Sequence, residues 1–249
     1  MTKSLVHSLS GESVYDDLVV PDGTFCTIRS LCANAHVGRR AKLAIKGACY
    51  GDVDIAEYGS VTCASVSGDV RAGNYTTVAV VGSCYGDVAI GEGGSFECQS
   101  MSGDLFSGKG AVLVCKGSCY GDVVVGAGGS FRCKSLSGDV RIGPNASLIC
   151  KGSCYGDAVI GKGGLLECKA SFSGDIKNEG GRYSIAGSFY GSVSGECGSM
   201  PPVVRSSPVS RTTIVCPECG TINADGASDC VACGNELHSV NPTVKRQYN

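Results

Sequence analysis

The amino-acid sequence predicts an all-β fold, a three-sided parallel β-helix of about 11 coils with 17–18 residues in each, followed by a small cysteine-rich module. Three observations predict it. The tripeptides Cys49-Tyr50-Gly51, Cys84-Tyr85-Gly86, Cys119-Tyr120-Gly121 and Cys154-Tyr155-Gly156 recur every 35 residues, with degenerate copies at Val14-Tyr15-Asp16 and Phe189-Tyr190-Gly191. A weaker unit falls midway between them, Ser67-Gly68-Asp69, Ser102-Gly103-Asp104, Ser137-Gly138-Asp139 and Ser173-Gly174-Asp175, so the true period is 17 or 18. After Cys197 the pattern stops, and two Cys-x-x-Cys pairs follow at Cys216/Cys219 and Cys230/Cys233.

Each segment can be justified in order. Residues 1–11 lie ahead of the first coil and read as a flexible tail; no hydrophobic signal core stands there, so a cytoplasmic location is expected. Residues 12–197 hold the repeat. A period of 17–18 accommodates three strands of about four residues and three tight corners, each coil pairing in parallel with the next at about 4.8 Å, which makes a rod roughly 50 Å long. Within Cys119–Val125, Cys119, Gly121, Val123 and Val125 share one parity and Tyr120, Asp122 and Val124 the other, the alternation of a strand. Residues 198–213 are rich in Pro and Ser and read as a linker; 214–238 form the module and 239–249 a second tail.

Composition excludes some classes. The chain has 249 residues, a formal charge of −2 and 43% apolar residues, which is too apolar for disorder and offers no general attraction to nucleic acid. Its 38 glycines and lack of tryptophan suit many corners rather than long helices. No apolar run approaches the eighteen or so residues of a membrane-spanning helix.

The cysteines need a physical reading first. Stacking the coils puts Ile28, Ile45, Cys63, Val80, Cys98, Cys115, Cys133, Cys150, Cys168 and Ile185 in one inward ladder. Val14, Leu31, Cys49, Val66, Cys84, Met101, Cys119, Leu136, Cys154, Phe172 and Phe189 make a second. Cysteine alternates there with Ile, Val, Leu, Met and Phe, so it is expected to fill space as a small apolar side chain. Disulfides and a buried metal array are the rival readings. Thiols two coils apart are out of bridging reach, and in-register neighbours at the 4.8 Å repeat would be strained.

Two outward files follow. Asp52, Asp69, Asp87, Asp104, Asp122, Asp139, Asp157 and Asp175 each come after the corner glycine. They read as corner residues accepting local backbone N–H groups, or as a carboxylate stripe for cations or a basic partner. Tyr15, Tyr50, Tyr85, Tyr120, Tyr155 and Tyr190 form the other file, interleaved with Ser67, Ser102, Ser137 and Ser173, suited either to packing over neighbouring corners or to contact with a partner. No catalytic constellation stands out: His36 is the one histidine in the coils, and no Ser or Cys nucleophile has a nearby His. An enzyme is not expected.

In the module, Cys216, Cys219, Cys230 and Cys233 have the spacing of two knuckles that supply four thiolates to one structural Zn²⁺, with a Gly after each closing Cys. About twenty residues cannot build a core, so metal binding and folding would be one event. A dithiol redox pair or an iron site is the rival.

The recurring "CYGDV" and "LSGDV" pattern over residues 12–198 resembles the bactofilins, and the run from Cys216 to Cys233 resembles the short zinc ribbons. The resemblance implies a right-handed β-helix and a bacterial cytoskeletal protein that polymerises end to end without nucleotide and scaffolds cell shape. It also implies association with the inner face of the membrane in some members. Unpaired strand edges at both ends of a β-helix recruit further strands, which points to Val14 at one end and Phe189 and Val193 at the other as the polymerisation interface. The chain's partner is then itself, with an unidentified protein docking on the zinc ribbon. Two alternatives remain: a non-polymerising scaffold, and a left-handed hexapeptide-repeat acyltransferase, which the 17/18 alternation and missing histidine disfavour.

Overall fold

The chain divides into two compact units, residues 1–200 and 201–249. The computed structural model describes residues 12–196 and, in the second unit, the strands Ile214–Val215 and Ile222–Asn223.

Residues 12–196 are all β, with three parallel sheets and no helix among the described residues. Each coil contributes one strand to each sheet in turn. The first coil is Ser13–Val14, Leu18–Val20 and Phe25–Ile28, and the seventh is Ser118–Tyr120, Val123–Val125 and Ser130–Cys133. The eleventh ends on its second strand, Val193–Glu196, so the sheets have 11, 11 and 10 strands. This is the predicted solenoid of about 11 turns. Every strand of the third face is four residues long, whereas those of the first two faces are two or three long except Ile176–Glu179 and Val193–Glu196 on the second. The remaining residues form three corners per coil, the Gly-Asp pair turning the chain from the first face to the second.

Both inward ladders run in the expected register. Cys98 pairs with Cys115, and Cys133 with Cys150, which pairs with Cys168. Met101 pairs with Cys119, Cys119 with Leu136, and Leu136 with Cys154. Their side chains meet in one continuous core with Phe96, Phe131 and Phe172 as its largest members. Period-2 alternation is the cause, since each strand turns one parity inward.

The corner glycines are required by backbone contact as much as by turning. At Gly156 φ is +124°, and a Cβ there would overlap the carbonyl oxygen of Gly138 one coil below. Coils at this corner approach too closely for any side chain, which is why glycine recurs at every level from Gly51 to Gly191.

In the second unit, Ile214–Val215 and Ile222–Asn223 pair antiparallel, Ile214 with Asn223 and Val215 with Ile222. Residues 216–221 join them and carry Cys216 and Cys219 in the sequence. Those two, and Cys230 and Cys233, lie outside the described residues, as do the tails and the linker.

Candidate functional site: the outer files and the open coil ends

All twelve cysteines of the described residues are free thiols, eleven of them buried. Burial pushes the Cys49 thiol up to about 11 and those of Cys63, Cys84 and Cys119 to about 12. Cys98, Cys133 and Cys154 are raised first by hydrogen bonding to a neighbouring sulfur, then by burial. Cysteine also does something that Ile or Val in the same slot cannot. Cys115 Sγ donates to Ser118 O at 3.3 Å, and Cys168 Sγ lies 3.3 Å from both Gly152 O and Ser171 O, which share its single proton. A weak thiol donor thus meets corner carbonyls that point into the core. Among the described residues no group of three or more His, Cys, Asp or Glu side chains is arranged to hold a metal ion.

Cys32 is the exception, exposed where the others are buried. Because Val14 pairs with Leu31 and Leu31 with Cys49, Cys32 falls in the tyrosine file, between Tyr15 and Tyr50. Register alone reveals it in the sequence, one coil after Tyr15 and one coil before Tyr50.

The aspartates act differently from local corner caps. From Asp52 to Asp157, each uses Oδ1 to accept the backbone N–H of the aspartate one coil later. Asp69 N donates to Asp52 at 2.9 Å, Asp122 N to Asp104 at 2.8 Å and Asp175 N to Asp157 at 2.8 Å. The file also begins earlier than the aspartates alone suggest. Asn34 N donates to Asp17 Oδ1, Asp52 N donates to Asn34 Oδ1, and the last acceptor, Asp175, takes both the amide and hydroxyl of Ser192. Those two bonds hold the Asp175 carboxyl below the usual carboxylate range. An Asx side chain therefore pins coil to coil along the whole stack, and the second oxygen, Oδ2, stays free for other partners. Arg71 shows the use of it, reaching Asp69 Oδ2 at 2.9 Å and Asp52 Oδ2 at 3.5 Å.

The tyrosine file is exposed, from 56% at Tyr155 to 76% at Tyr15. Packing over neighbouring corners does not cover these rings. A second aromatic feature was not anticipated. Arg40, Tyr58 and Tyr75 adopt positive φ of 54°, 61° and 57° at a corner where Gly23, Gly93, Gly110, Gly128 and Gly163 stand in other coils. Tyr58 and Tyr75 stack with centroids 5.2 Å apart, and the Arg40 guanidinium lies 5.7 Å from the Tyr58 centroid. Stacking and cation–π attraction offset a backbone cost of about 1–2 kcal/mol per residue.

His36 lies on the outer surface of the second face, with Nδ1 3.2 Å from Asp54 Oδ2. It lines a broad, shallow groove of about 760 Å³ with Asp54, Arg71 and the aliphatic edges of the strands. No serine or cysteine lines that groove, so the His36–Asp54 pair has no nucleophile to activate there.

The last coil differs from the interior. Phe172 is 1% exposed, whereas its partner one coil later, Phe189, is only partly buried. Ile176 is fully buried, whereas Val193, which pairs with it, is 39% exposed. Among the described residues, Arg182–Ile185, Phe189–Tyr190 and Val193–Glu196 each pair with a strand on one side only, as do the three strands of the first coil. Val14, at that opposite end, is partly buried where Leu31 above it is fully buried. The chain matches no protein-family model, no curated protein and no solved structure.

Proposed function

We propose that this protein is a structural, non-enzymatic scaffold whose rods join end to end into nucleotide-independent filaments, in the manner of the bactofilins it resembles. The observation that carries the reading is the last coil, where Phe189 is partly buried and Val193 39% exposed, and where, among the described residues, three strands pair on one side only. The first coil offers the complementary edge, with Val14 at the rim. Joining the two continues the core ladders and the strand pairing across the joint without any cofactor.

The test is negative-stain electron microscopy of purified protein without nucleotide or metal. Filaments are expected, and Phe189→Asp, which puts a charge on the last coil, should abolish them while leaving the β circular dichroism spectrum intact. Wild-type protein that stays as single rods at high concentration would overturn the proposal and favour the non-polymerising scaffold.

The C-terminal unit is proposed as a zinc ribbon that docks a protein partner. The antiparallel pairing of Ile214–Val215 with Ile222–Asn223 brings together the chain on either side of Cys216 and Cys219, as a metal knuckle requires. Cys230 and Cys233 would complete the ligand set around one structural Zn²⁺. Native mass spectrometry should show one zinc per chain, lost on Cys216→Ser/Cys219→Ser substitution. A full-length chain with no bound metal would remove the assignment without touching the filament reading. The cytoplasm, at or near the inner face of the membrane, is the location this reading implies.

A further inference from the structure

The first face carries opposite charges along its two edges. In four consecutive coils a lysine stands at the corner before the face and an aspartate at the corner after it: Lys116 and Asp122, Lys134 and Asp139, Lys151 and Asp157, Lys169 and Asp175. All eight are exposed. Between the edges lie only small serines and the exposed tyrosines. Ser118 and Ser135 are joined by a 2.8 Å hydroxyl contact, and Tyr120 and Tyr155 are 57% and 56% exposed. Among the described residues, Lys134 and Lys151 have no ion-pair partner, and neither do Asp122, Asp139 and Asp157. Each of these aspartates spends Oδ1 on the next coil's amide and keeps Oδ2 free. Arg71 on Asp69 Oδ2 shows that a cation fits there.

From this geometry we infer that the first face is a lateral docking surface for a second copy of the chain, the two rods lying face to face and parallel. Symmetry selects the orientation. Turning the second copy about an axis along the rod exchanges its left and right edges, which lays lysines over aspartates on both sides of the pair. Turning it about an axis across the rod keeps each edge on its own side, opposing lysine to lysine and aspartate to aspartate, and like-charge juxtaposition of this kind discriminates strongly between arrangements. The available area is sufficient. A face about 16 Å wide and about 50 Å tall offers roughly 800 Å² per copy, the size of a standard stable interface. Tyrosine is the residue type expected at its centre, combining apolar area with a polar tip. The pairing uses neither coil end, so it stands apart from the end-to-end joint.

The test is zero-length carbodiimide cross-linking of a 1:1 mixture of ¹⁴N- and ¹⁵N-labelled full-length protein at low ionic strength, read by mass spectrometry, in wild-type and Phe189→Asp chains. Mixed-isotope peptides joining Lys to Asp at the same coil level, Lys116 to Asp122 and Lys134 to Asp139, are expected in both. End-to-end contacts cannot produce such links, so loss of filaments leaves this readout standing. The yield should fall as salt screens the edges. Sedimentation should show pairing weakened about tenfold or more by Lys134→Glu/Lys151→Glu, with an unchanged melting temperature, and preserved by Lys134→Arg/Lys151→Arg. Absence of same-level mixed links, or pairing indifferent to the glutamate variant, would overturn the inference.

Discussion

Gly156→Val is expected to destabilise the rod by at least about 3 kcal/mol, the range reserved for strain that the fold cannot relax. Two effects coincide at this residue. The backbone stands at φ +124°, which a β-branched residue does not adopt. A Cβ there would overlap the Gly138 carbonyl oxygen and lie 2.6 Å from its carbon. The neighbouring coils cannot separate to make room, because Ala158–Ile160 is paired in register with Val140–Ile142 on one side and with Ile176 to Asn178 on the other. Gly128→Ala is the control. It has positive φ but nothing within 4 Å of an added Cβ, and should cost only about 1 kcal/mol. Because coils contact only their neighbours, a break in mid-stack should also split one unfolding transition into two. Urea denaturation of the two variants distinguishes these outcomes; equal costs would show that the corner yields.

Thiol labelling should separate exposed Cys32 from buried Cys119 by about three orders of magnitude or more. At pH 8 a thiol near 12 is about one ten-thousandth thiolate. Cys119, pushed up to about 12 by burial and 0% exposed, therefore lacks both the reactive form and access to reagent. The sign is definite: a raised thiol pKa means less thiolate at neutral pH, and the labelling rate of such a group keeps climbing as pH rises toward 12. Within the rod, maleimide labelling of the native protein followed by peptide mapping should modify Cys32 within minutes and leave Cys119 and Cys133 untouched until the protein is denatured. Fast modification of either core residue would mean that its ladder opens in the native state and that the thiols do more than fill space.

Much of this was legible in the sequence because a solenoid repeats itself. The 17/18 spacing places Cys119 above Met101 and below Leu136 with no tertiary information, and the structure pairs them so. Identical side chains at equal intervals can stack in only one way once the strands are parallel. What a single coil's pattern does not contain is contact between coils. The aspartates look like local corner residues in any one repeat, and only the stack reveals that each Oδ1 reaches the next coil's amide. The same applies to Asn34 and Ser192, which continue the file with different residue types. The stacked Tyr58 and Tyr75 were missed because they replace a glycine at a positive-φ corner, an exception that a consensus pattern hides.

By itself, then, the sequence determined the coil, its inward and outward parities and the number of turns, because period and alternation are properties of the chain. Only the tertiary structure decided how each carboxylate divides its two oxygens and how much less buried Phe189 and Val193 are than their partners one coil earlier. These depend on distances between residues 17 or 18 apart in sequence that become neighbours only when the coils close on one another.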